Sequence, residues 1–306
     1  MGKLALCSAK AKLLALALLA VAAATAVAVV VAGSRTDQPS SPPPAPPKCG
    51  GAVNTGAANC EPQLWVPTGT SNASMACYAY GGPSDPCALT VTNDADAGRT
   101  KDPSGCAADT FFLWDEPETQ GETYEWAASR WLVYAASFAA QIGALRARGV
   151  RFTTPMLKAD NASGRLLRFW SACGAPCSNE SSPAYIDIVA VNPFCGVWNL
   201  PVGTAAACRN GAAFVLNDLR PVLRGRAVYV TNWGYLGSST AAAQLAAMDA
   251  TDAFFVDGSP VARVYWFGAT DYGGGTTNNF LDRTVESGDR AGQTLGAIWK
   301  AKCDSL

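Results

Sequence analysis

No histidine occurs among the 306 residues. That absence excludes Ser-His-Asp and Cys-His catalysis, and it deprives any metal site of its commonest side-chain ligand. Charge is also scarce: 23 Lys and Arg against 24 Asp and Glu leave a net −1, with no basic field for nucleic acid. A Gly-rich dinucleotide fingerprint is missing, and Gly273-Gly274-Gly275 lacks the following Lys of a phosphate loop. Cys173 and Cys177 have no second ligand pair to complete a zinc knuckle. The chain implies no cofactor and no metal.

What is present begins with Lys3, Lys10 and Lys12, followed by residues 13–32, in which Thr25 is the one polar side chain. Twenty apolar residues at about 1.5 Å each span a bilayer core of roughly 30 Å. The preceding positive charge predicts a cytosolic 1–12, a transmembrane signal anchor over 13–32, and a lumenal or extracellular remainder. The alternative is a long signal peptide cut near Ala32-Gly33, which would make the protein secreted. Residues 34–48 hold six prolines, so 33–48 reads as an extended Pro/Ser linker and 49–306 as the folded domain. Apart from Cys7, ten cysteines remain, an even number that suits disulfides in an oxidising compartment. Their pairing is not legible from spacing. Sequons at Asn72, Asn161 and Asn179 suit a glycoprotein surface.

From residue 111 the pattern is regular. Phe111-Phe112-Leu113-Trp114 reads as a buried strand, closed by Asp115-Glu116-Pro117. A helix is expected over 124–148, then strands at 151–157, 186–192, 228–232 and 261–268, with helices near 164–172, 210–220, 239–255 and 289–302. Strand and helix alternating five times predict a parallel α/β sheet with right-handed crossovers, most of a (β/α)8 TIM-type barrel. An open doubly wound sheet is the alternative. The part before residue 110 is abbreviated and cysteine-rich, with short strands expected at 63–67, 77–80 and 88–92.

In such a sheet the site lies at the carboxyl ends of the strands. Those ends carry Glu116, then Lys158 and Asp160, then Asn192-Pro193-Phe194, then Asn232-Trp233, then Asp271-Tyr272. Trp114, Phe194, Trp198, Trp233, Trp266 and Tyr272 lie among them. Aromatic faces beside hydrogen-bonding groups suit sugar rings. The same aromatics would also serve as barrel core, the stronger reading for Trp266, which lies within a strand.

Over about residues 110–270 the chain resembles glycoside hydrolase family 128, the β-1,3-glucanase-type (β/α)8 barrels of the large retaining clan. Asp115-Glu116-Pro117 stands where that family has Asn-Glu-Pro at the end of its fourth strand, and Asn192-Pro193-Phe194 stands at the His-Trp-Tyr-like end of the sixth. Val230-Thr231-Asn232-Trp233 matches the Val-Thr-Glu-Phe of the seventh, and Trp266-Phe267-Gly268 the end of the eighth. The resemblance implies that Glu116 is the general acid/base and that Asn232 occupies the nucleophile position. It also implies that Asp115 replaces an Asn that contacts a sugar 2-hydroxyl. An amide cannot form the glycosyl ester, so a working enzyme needs another carboxylate, with Asp271 or Asp160 available and Asp115 expected to point away from Glu116. The expectation is a monomeric glycoside hydrolase-like protein acting on a β-glucan-like polysaccharide outside the cytosol. The alternatives are a catalytically inactive, membrane-tethered glycan-binding protein using the same cleft, and a purely structural barrel.

Overall fold

The computed structural model describes residues 49–53, 87–89, 102–106, 108–195, 204–234, 241–267 and 284–305, with backbone alone at 49–53, 266 and 267. The expected anchor (13–32), the linker, the strands at 63–67 and 77–80, the Asn72 sequon, Trp198, Asp271 and Tyr272 lie outside them. Among the described residues no helix is long and apolar enough to cross a membrane.

Strand β1 (Cys49–Val53) comes first, an element the sequence pattern does not announce because Gly50 and Gly51 dilute its strand signal. Strand β2 (Thr110–Phe111) follows, then helices α1 (Tyr124–Ser137) and α2 (Ala139–Ala147). The single helix expected over 124–148 is divided at Phe138, whose backbone leaves the helical region at φ −115°. Of the apolar positions at helical spacing, Trp131, Tyr134, Ile142 and Leu145 are buried and Phe138 is half-buried. Gly149, at φ +88°, ends the unit in a conformation that suits glycine.

The strand expected over 151–157 is two short pieces, β3 (Arg151–Phe152) and β4 (Leu157–Lys158), because Pro155 between them has no N–H to donate. Next come α3 (Ala162–Cys173), β5 (Ile188–Asn192), α4 (Ala205–Leu219), β6 (Ala227–Trp233), α5 (Ala241–Asp249), β7 (Val261–Phe267) and α6 (Leu295–Asp304). Thr123, Thr204 and Thr294 cap α1, α4 and α6 by accepting backbone N–H bonds.

The strand pairs are parallel, in the order β1-β7-β6-β5-β4, with β2 on β3. Parallel bridges at Thr153–Ile188 and Asp115–Met156 join the two groups, and another pairs Ala88 with Phe112. This is an α/β fold built on a parallel sheet. One face carries the large core under the helices, with Trp131, Phe152, Val189, Val191, Val228, Val230 and Trp299. The other carries Ala88, Phe112, Met156, Ile188, Ala190, Tyr229 and Tyr265. The alternation of 188/190 with 189/191, and of 229 with 228/230, is the period of two that a strand imposes.

That second face is sharply curled. From the Phe112 strand to β7 is four pairings, about 19 Å across a flat sheet. Nevertheless the Phe112 and Tyr265 rings meet edge to face with centroids 5.6 Å apart. Arg263 and Asp109 are ion-paired at 2.8 Å across the same gap.

Disulfides join Cys87 to Cys106, Cys173 to Cys177 and Cys195 to Cys208, and Cys303 is also disulfide-bonded. The Cys173/Cys177 pair is therefore a staple closing the end of α3. Asn161 and Asn179 are exposed.

Candidate functional site

Glu116 sits where the Phe111–Asp115 segment leaves the sheet, and its backbone is left-handed at φ 31°, ψ 70°. A side chain with a Cβ rarely occupies that region, so the surroundings must hold it there. Pro117 opens a 3-10 turn over Pro117–Gln120. Within the turn the Thr119 N–H donates to Glu116 O at 2.9 Å and the Thr119 hydroxyl donates to Glu116 Oε2 at 2.9 Å. Gln120 Nε2 donates to Asp115 O at 2.6 Å.

The other side of the Glu116 carboxylate faces Asn192 at the end of β5. Asn192 Nδ2 donates to Asp115 Oδ1 at 2.9 Å and to Glu116 Oε1 at 3.0 Å. Thr231 Oγ1 donates to Asn192 Oδ1 at 2.6 Å, which fixes the amide with its NH2 toward the two carboxylates. Asp115, Glu116, Asn192 and Thr231 are at most 5% exposed. The sequence reading aimed Asp115 away from Glu116. Instead the left-handed turn at Glu116 brings both side chains onto one amide. Their bonded oxygens lie less than about 6 Å apart, closer than the roughly 6.5–9.5 Å of an inverting pair.

Asn232 reaches this side of the sheet through a register shift. Val230 pairs with Val264 and Trp233 with Trp266, so β6 spends three steps where β7 spends two. Val230 and Trp233 both join the core under the helices. The two residues between them, Thr231 and Asn232, therefore share the opposite side, as in a β-bulge, which re-aims side chains at strand ends. Asn232 is 1% exposed and its Oδ1 has no hydrogen-bond partner. A buried acceptor without a donor is expensive, and such groups mark places where a water or ligand supplies one.

The aromatics are distributed differently from the sequence expectation. Trp233 is fully buried, its Nε1 donates to Ala247 O and Thr251 Oγ1, and its ring meets Phe254 at 4.7 Å. Trp114 is buried against Trp126. Both belong to the core between sheet and helices, because the bulge and the strand alternation turn them that way. Phe194 is buried beside Cys195 after β5.

Residues the sequence reading passed over support the site from outside. Tyr124 OH donates to Met156 O and accepts from the Lys158 N–H, and burial raises its hydroxyl pKa far above the usual phenol range. Asp160, offered as a substitute carboxylate, is ion-paired with Arg165 at 3.3 Å. Arg165 also holds Glu118 at 2.8 Å, and Arg168 joins them. Burial opposes ionisation of Glu118, but the two guanidinium groups outweigh it and lower its pKa. Among the described residues no three Asp, Glu or Cys side chains come together as a metal site.

No family model and no curated relative matches the chain. Several solved structures do. It is similar to a family 128 (subgroup VII) oligosaccharide-binding protein from Cryptococcus neoformans, at 14% identity and a TM-score of 0.44, over 86% of this chain and 96% of that one. It is similar to a subgroup VI exo-β-1,3-glucanase of the same family from Aureobasidium namibiae, at 13% identity and TM-score 0.38, over 56% and 59% of the two chains. A subgroup IV endo-β-1,3-glucanase from Lentinula edodes follows at 16% identity and TM-score 0.34, over 52% and 53%. The chain thus spans little more than half the length of the two glucanases. All three structures carry the family name that the strand-end motifs resemble.

Proposed function

We propose that this chain is a glycoside hydrolase-like (β/α)8 barrel, held outside the cytosol by residues 13–32, that binds a β-glucan-like polysaccharide around Glu116. Closure into a barrel is supported by the contacts of Phe112 with Tyr265 and of Asp109 with Arg263 across four pairings. It is also supported by the pairing of the first strand, β1, with the last, β7. An open doubly wound sheet would hold Phe112 and Asp109 four strands away from Tyr265 and Arg263.

The observation that carries the function is the buried cluster at the strand ends, in which Asn192 gives one hydrogen to each of Asp115 and Glu116 while Asn232 offers an unpaired carbonyl oxygen. Glu116 is the group able to protonate a leaving glycosidic oxygen. A retaining enzyme needs a second carboxylate across the anomeric carbon, and by the resemblance of the strand-end motifs Asn232 stands at that position with an amide. Asp115 does not replace it, because the space between Asp115 and Glu116 is filled by the Asn192 nitrogen. Holding the glycan, with Asn232 accepting a sugar hydroxyl, is therefore the reading the geometry favours over hydrolysis. Asp271, outside the described residues, is the remaining carboxylate for an inverting alternative.

The test is binding to, and reducing-sugar release from, β-1,3-glucan by the full-length protein, Glu116→Gln, Asn232→Glu and their double variant. Binding without release by the unmodified protein, with release appearing in Asn232→Glu and lost in the double variant, is expected. Turnover by the unmodified protein that Glu116→Gln abolishes would make it a hydrolase with a relocated carboxylate. Neither binding nor turnover by any form would remove the glycan.

A further inference from the structure

Glu116 is one of three non-glycine residues with positive φ among those described, and it is the one at the centre of the site. A strained backbone of this kind persists only where neighbouring groups over-determine it. The bonds from Thr119 lie within the turn and travel with it, while the Gln120 bond to Asp115 O ties the end of the turn only to the strand end directly before it. Among the described residues, the ties that reach other elements of the fold are the Asn192 bond to the Glu116 carboxylate and the contact of Glu118 with helix α3.

That second tie is firmly rooted. Arg165 is 8% exposed and sits on α3 beside the buried Leu166 and Phe169. Its Nε donates to Glu118 Oε2 at 2.8 Å and its Nη1 lies 3.3 Å from Asp160, while Arg168 one turn later grips the other Glu118 oxygen. The two arginines thus close a fork on one carboxylate, the arrangement in which charge-assisted bonds add direction as well as attraction. Glu118 is two residues from Glu116 with the rigid Pro117 between them, so fixing Glu118 fixes the peptide that forces Glu116 left-handed.

We propose that the clasp of Glu118 by Arg165 and Arg168 is the positioning device of this site, holding Glu116 in the backbone conformation that aims its carboxylate at Asn192 and at the ligand. Its consequence for ligand binding rests on the function proposed above. Its mechanical role does not. Glu118, Arg165 and Arg168 are positioning residues.

The test is amide hydrogen exchange of the full-length protein across 117–122, with thermal unfolding and β-1,3-glucan affinity measured alongside. In the native turn the Thr119 N–H is bonded to Glu116 O and the Glu122 N–H to Pro117 O. Glu118→Ala should speed exchange at Thr119 and Glu122 by about tenfold or more, selectively over the β5 amides, while the unfolding midpoint falls only by what the clasp itself contributes. Glucan affinity should fall by about 10- to 100-fold, the scale of a small misplacement of a key group. Glu118→Gln, which keeps an oxygen for Arg165, should recover most of both. Native exchange rates at Thr119 and Glu122 in Glu118→Ala would overturn the clasp, and so would a loss of protection spread evenly over the β5 amides. If the unmodified protein binds no glucan, the functional reading fails, while the exchange rates still decide the clasp.

Discussion

Asn192 and Glu116 lie 76 positions apart in the chain, and the Asn192 amide nitrogen is 3.0 Å from Glu116 Oε1 with its second hydrogen on Asp115 at 2.9 Å. One neutral side chain therefore solvates two buried carboxylates at once. Asn192→Ala withdraws both bonds and keeps the carboxylates buried, so it should lower stability by about 2–3 kcal/mol, read from urea unfolding. Asn192→Asp keeps the shape but sets a third carboxylate against the pair, and it should cost more than Asn192→Ala at neutral pH. Equal stability of Asn192→Ala and the unmodified protein would mean that the amide is not what holds this cluster.

Trp233 distinguishes a core aromatic from a sugar platform. Its ring lies against Phe254 and its N–H is satisfied twice, so truncation should act on folding. Trp233→Ala should destabilise by about 3–5 kcal/mol, and Trp233→Phe by less because the ring contact survives. Glucan affinity of the folded Trp233→Phe protein should remain native. A selective loss of affinity at unchanged stability would return Trp233 to the cleft.

The difference between those two roles was hidden by the pattern of the chain. The strands could be read because each is an apolar run, and Glu116 could be placed because Pro117 ends its strand directly after it. Side-chain direction at Asn232 and Trp233 could not, because it depends on a register shift that is a property of β6 and β7 together. A one-residue change in register exchanges the two faces of a strand, so Trp233 and Asn232 exchanged the roles that alternation alone would assign. Arg165 was invisible for a similar reason. A charged residue in a short helix reads as a solvated face until the fold brings Glu118 against it. Strand β1 was missed through its two glycines, and the split at Phe138 leaves no mark in an otherwise continuous helical pattern.

At the other end of the sheet, Arg263 is fully buried and forms two bonds to Asp109, at 2.9 and 2.8 Å, with a third to Tyr265 OH at 3.0 Å. Burial opposes the charge on Arg263, yet its neighbours outweigh that and hold it protonated. Asp109→Ala removes both carboxylate bonds from a buried cation. It should cost about 3 kcal/mol, the lower end for a broken buried pair, because the Asp109 side chain is 32% exposed. The double variant Asp109→Ala/Arg263→Met should recover part of the loss, because no charge remains to be desolvated. Additive effects in that cycle, measured by chemical unfolding, would show that the pair is not coupled.

The Glu118 clasp also sets an acid limit. Two arginines lower the Glu118 pKa below its ordinary value, so folding binds fewer protons at this group than unfolding does. Its contribution to stability is therefore complete above the ordinary glutamate range, near pH 4.5, and is lost as pH falls through the depressed folded value. Arg165, Arg168 and Asp160 face it from α3 and the end of β4, and Glu125 joins Arg168 from α1. Over that acid window the unfolding midpoint of the native protein should fall more steeply than that of Glu118→Gln, which has no proton to gain at this position. The two curves should run parallel from pH 6 to 8, where Glu118 stays ionised in both folded and unfolded chains. Curves that run parallel through the acid window as well would mean that Glu118 titrates alike in both states and that the arginines hold it too weakly to matter.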